Sequence, residues 1–61
     1  MKNSRQELQD AFSKLQGAQI CLKHAMENVE KSNNKRQIEH TLSSVDEAVF
    51  AASNAIANYQ E

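Results

Sequence analysis

Cys21, His24 and Glu27 follow one another at intervals of three residues. On a helix that spacing makes neighbours of a thiol, an imidazole and a carboxylate, three groups that can bind one metal ion. A structural zinc site takes four ligands, commonly as two pairs, and no second pair accompanies this one; the other histidine, His40, falls at an outward helical position like that of His24. As nucleophile and base, Cys21 and His24 would need a pocket and an oxyanion donor, and no motif supplies either. Gly17 is the only glycine, so a glycine-rich phosphate loop has no place to form. No pair of carboxylates stands out from the charged background. The reading is of a chain with no catalytic set, no cofactor and no metal site: not an enzyme.

A second cluster is basic. Lys31, Lys35 and Arg36 gather near the middle of the chain, where phosphate groups of RNA or DNA would be their natural partners. Lys14 and Lys23, with neighbouring Asn and Gln, extend that possibility. The whole chain carries seven Lys plus Arg against eight Asp plus Glu, a formal −1, and so generates no strong field for nucleic acid or an anionic membrane. A solvated helix end explains the cluster more simply, since cations are favoured near the C-terminal end of a first helix by its dipole.

Two helices must position all of these residues. Leu8, Phe12, Leu15, Gln19, Leu22, Met26 and Val29 recur at alternating spacings of four and three, and Ile38, Leu42, Val45, Val49, Ala52, Ile56 and Tyr59 repeat the beat. No proline interrupts either stripe. Ser4 with Glu7, and Asn34 with Gln37, have capping-box spacing. Ser32, Asn33 and Asn34 form the one cluster of turn-forming residues between the stripes. The expected fold is all-α: a single domain over residues 1–61, with a helix over about 4–31, a turn at about 32–34 and a second helix over about 35–59. So short a connection makes the helices antiparallel neighbours.

A shift of 30 residues superposes the stripes, Leu8 on Ile38 through Val29 on Tyr59. Ala11, Ala18 and Ala25, each one step before a stripe position, superpose on Thr41, Ala48 and Ala55. Small side chains there let two helices approach closely. Packing alone explains the repeat. Gln19 is the one polar member of the first stripe, and its amide must find a hydrogen-bond partner inside the fold or at its edge. Ile20 and Phe50, one step past the stripe, are also equivalent under the shift, and a matched pair of large apolar residues off the seam marks either a wider core or a candidate partner interface.

Size decides how such a hairpin is completed. A chain of 61 residues supplies few kcal/mol from a single core and needs a staple. One cysteine cannot form an internal disulfide, which leaves another chain as the support. Two hairpins closing their stripes on each other give a four-helix bundle, so a homodimer is expected, with a further protein partner possible on a remaining face. The segment from Met1 to Arg5 is polar, the longest apolar run is Ala48 to Ala52, and neither anchors the chain in a membrane. A lone thiol without a secretion signal fits the cytoplasm.

The stretch Leu15-Gln16-Gly17-Ala18-Gln19, continuing to Leu22, resembles the first helix of a family of short helical proteins of spore-forming, Bacillus-type bacteria, a domain of unknown function. The likeness covers part of the first helix; the second fits in its general helical pattern. It implies a small bacterial helical protein without known catalysis. In length and hairpin form the chain is also similar to the small plasmid-encoded RNA-binding repressor-of-primer dimers, with no shared residue motif, and fold by itself does not carry function.

Overall fold

A computed structural model describes residues 3–60. Two helices, α1 (Ser4–Asn28) and α2 (Ser32–Ala57), pack against each other along their length. Contacts across the pair fix the direction. The Arg5 guanidinium, at the start of α1, lies 5.2 Å from the centre of the Tyr59 ring just beyond α2, and Gln19 bonds Asp46 in mid-helix. The helices are therefore antiparallel.

The two stripes are the packing seam. Every stripe position from Leu8 to Val29 and from Ile38 to Tyr59 is half-buried, as are Ala18, Ala25 and Ala48 beside them. None of the described residues is fully buried. Two helices side by side make a single layer, 47 × 20 × 12 Å overall. A core enclosed on all sides requires a second layer.

The helix starts depart from the capping expectations. Asn3, not Ser4, caps α1: its Oδ1 accepts from the Gln6 backbone N–H at 2.9 Å, and Gln6 Oε1 accepts from the Asn3 N–H at 3.1 Å. Asn is as good a cap as Ser, and the earlier start adds Ser4 to the helix. At α2, Lys31 holds the N-cap position and no side chain caps the helix; the Lys35 N–H reaches the Lys31 carbonyl at 3.0 Å. The Asn34 and Gln37 capping box does not form.

The chain turns through Val29, Glu30 and Lys31, and the polar cluster Ser32, Asn33 and Asn34 becomes the first turn of α2. Distance explains the shift. Val29 and Lys31 are extended, and three extended residues reach about 10 Å, the separation of two packed helix axes. Such a connection needs no left-handed residue, and none of the described residues has positive φ. The tolerance of Asn for that conformation, which made the cluster a turn signal, goes unused.

The far ends repeat the same device. Asn28 Nδ2 donates to the His24 carbonyl and Asn58 Nδ2 to the Asn54 carbonyl, both at 2.9 Å; at Asn54 this is a second bond, since the same carbonyl accepts from the Asn58 backbone N–H at 3.0 Å. These four residues also superpose under the 30-residue shift. Tyr59 lies past the end of α2 and is still half-buried.

Candidate interaction face

An antiparallel pair with matched stripes has an approximate two-fold axis between its helices, perpendicular to the plane that holds them. Residues on the same side of both stripes therefore share one face of the hairpin. The faces differ. On one, three of the small residues a step before the seam (Ala18, Ala25 and Ala48) are half-buried; on the other, every described residue a step after the seam is exposed. The alanine side is thus partly covered at three positions, with Ala11, Thr41 and Ala55 exposed, and the opposite side is open at every position next to the seam.

Ile20 and Phe50 are on the open side, 56% and 69% exposed. Ile20 adjoins Gln19 in α1 and Phe50 adjoins Val49 in α2, so both lie near mid-hairpin, on either side of the approximate two-fold. Gln19 is half-buried and its Nε2 donates to Asp46 Oδ1 at 2.6 Å. A carboxylate acceptor makes this a charge-assisted bond. Asp46 is itself a step past the seam, one turn before Phe50. The amide thus reaches the edge of the seam on the open side, and a polar bridge runs between the two exposed apolar residues.

Lys31, Lys35 and Arg36 are all exposed at the turn end, with Lys31 in the connection and the other two in α2. The last turn of α1 contains no basic residue and the first turn of α2 no acidic one. The expected dipole benefit at the end of α1 is therefore absent: the cluster stands at the positive end of α2, where a cation in the first turn is disfavoured. The earlier turn moves Lys31 from the end of α1 to the N-cap of α2, while Lys35 and Arg36 stay near the start of α2 as expected.

Cys21 is an exposed free thiol. Among the described residues no three His, Cys, Asp or Glu side chains come together as a metal site. A shallow depression on α1, lined by Glu7, Asp10, Ala11 and Lys14, brings no nucleophile beside a base. No described helix is long and apolar enough to cross a membrane.

Two contacts had no counterpart in the sequence reading. Asp46 as the partner of Gln19 was discernible in principle, because it lies one turn before Val49, the residue expected opposite Gln19. The Arg5 contact with Tyr59 had the weaker signal of a basic residue one turn before Leu8, the expected partner of Tyr59. No family model, no curated protein and no solved structure matches the chain.

Proposed function

We propose that this protein is a small noncatalytic interaction module, working as a homodimer in which two hairpins form a four-helix bundle, and that its role is exerted through a helical face. The observation that carries this reading is the unclosed seam. The chain exposes 4912 Å², against about 4,000 Å² for a compact folded monomer of its mass. The difference is close to the roughly 800 Å² that one partner contributes to a standard protein interface. Half-buried stripes along both helices, and two large apolar residues at the middle of one face, give that area a place to be buried. The partial resemblance of Leu15 to Leu22 to short helical proteins of Bacillus-type bacteria implies a small bacterial helical protein without known catalysis, in keeping with this reading.

Sedimentation equilibrium over a range of concentrations tests the reading. A dimer at micromolar concentration is the expected result; a monomer that stays folded there overturns it.

The basic turn favours a second reading, a small nucleic-acid-binding regulator that contacts phosphates through Lys31, Lys35 and Arg36. Three cations beside an uncapped helix N-terminus form a local positive site in a chain whose net charge is −1. Its signature is affinity that falls steeply with salt. Failure to shift RNA or duplex DNA at low salt rules it out.

A further inference from the structure

We infer that the face bearing Ile20 and Phe50 is where a second copy of this chain packs, and that the alanine side carrying Cys21 is turned outward. This rests on the homodimer reading above and adds to it which of the two sides is buried. Both sides flank the same half-buried seam, so the seam by itself does not choose.

Three features choose. The alanine side is already partly covered, at Ala18, Ala25 and Ala48, whereas the other side exposes every residue next to the seam. A second layer adds most burial where the first is open. The only large apolar side chains that the hairpin leaves exposed, among those described, are Ile20 and Phe50, and both are on the open side. Their position also suits a copy better than an unrelated protein: they straddle the approximate two-fold axis at mid-hairpin, and an isologous interface buries the same patch from both subunits. Whether α1 of one hairpin lies over α1 or over α2 of the other, the same four side chains meet in the middle layer.

The interface so formed encloses the bond between Gln19 and Asp46. With a carboxylate accepting from its amide at 2.6 Å, Gln19 enters the dimer already partnered. The polar pair then fixes register, because sliding one hairpin by a turn would set the bridge against Ile20 or Phe50 of the other.

The chain has no tryptophan, so Phe50→Trp installs a single reporter of similar bulk at the patch. Its emission should shift to shorter wavelength as concentration rises, with the midpoint where sedimentation gives half dimer. Cys21→Trp, on the opposite side, should show no shift. A Phe50→Trp protein that dimerises with unchanged emission overturns the face assignment and leaves the dimer standing. A wild-type chain that stays monomeric overturns the dimer reading and this inference with it. Should tryptophan at position 50 itself prevent association, Ile20→Cys and Phe50→Cys in a Cys21→Ser background read the same face. Oxidised singly or refolded together, they should give interchain disulfides, and wild-type Cys21 should not. Crosslinking through Cys21 alone reverses the assignment.

Discussion

The two sides of the seam start from the same geometry and end differently. Each has residues one step from a half-buried stripe, yet one side holds Ala18, Ala25 and Ala48 and is partly closed, and the other holds Ile20, Asp46 and Phe50 and is open. Side-chain size makes the difference. Alanine lets two helix backbones approach, and the larger groups on the far side extend into solvent. The missing layer therefore belongs on the side that carries the exposed apolar residues.

The largest expected effect comes from the seam that both sides share. Leu42 is half-buried in the single hairpin, where truncation removes only part of a side chain's contacts. If a second copy covers the seam, Leu42→Ala should destabilise by about 2–5 kcal/mol, as for a fully buried leucine. Denaturation at several protein concentrations measures this. The loss should be greatest where the protein is dimeric, and a loss independent of concentration would place Leu42 away from the interface.

Next in size is the closed side. Ala48→Leu inserts bulk where the helices already approach, at an expected cost of about 1–3 kcal/mol. Ala51→Leu, three residues on and exposed, should change stability by no more than about 0.5 kcal/mol. Equal melting temperatures for the two variants would mean that the alanine side is no tighter than the rest of the surface.

How much of this was written in the sequence depends on what each feature requires. The seam needed only helical periodicity, and every stripe position is half-buried in the fold. The same count put Ile20 and Phe50 one step off the seam, without deciding between a wider core and a partner interface. The turn did not follow, because its position depends on the distance between two helix axes rather than on which residues favour turns. Ser32, Asn33 and Asn34 have turn chemistry and lie within a helix; Val29 has none and begins the connection. Caps slipped for a related reason: Asn3 with Gln6 and Ser4 with Glu7 are both serviceable boxes one residue apart, and local spacing cannot rank them. The Gln19 bond to Asp46 was hidden because it depends on how far an amide reaches across the seam.

Lys31 offers a smaller and local test, away from both sides. It is the N-cap of α2, has suitable extended backbone angles, and contributes no capping bond. Lys31→Asp would supply an acceptor and place a negative charge at the positive helix end. An increase in stability of about 1 kcal/mol is expected, read as a melting temperature roughly 4–8 °C higher. Because the turn is far from the middle layer, dimer affinity should not change. If affinity moves together with stability, the turn is part of the interface and packing centred on Ile20 and Phe50 is wrong.

The smallest effect concerns the outward surface. Gly17 lies inside α1 with helical backbone, and a Cβ built there meets nothing within 4 Å. No close approach requires this glycine. Gly17→Ala should stabilise by about 0.4–1 kcal/mol, chiefly by reducing the conformational freedom of the unfolded chain. Set beside Ala48→Leu, it separates two kinds of small residue: one that fills a narrow gap and one that fills none. The comparison also reaches the dimer. Gly17 is on the outer surface of α1, three residues before Ile20 and away from the seam, so stabilisation by alanine with dimer affinity unchanged keeps that surface free. Weaker dimerisation after adding a single methyl would instead put a neighbouring backbone over Gly17, in the space that is empty in the single hairpin, and would move the second copy round to the outer face of α1.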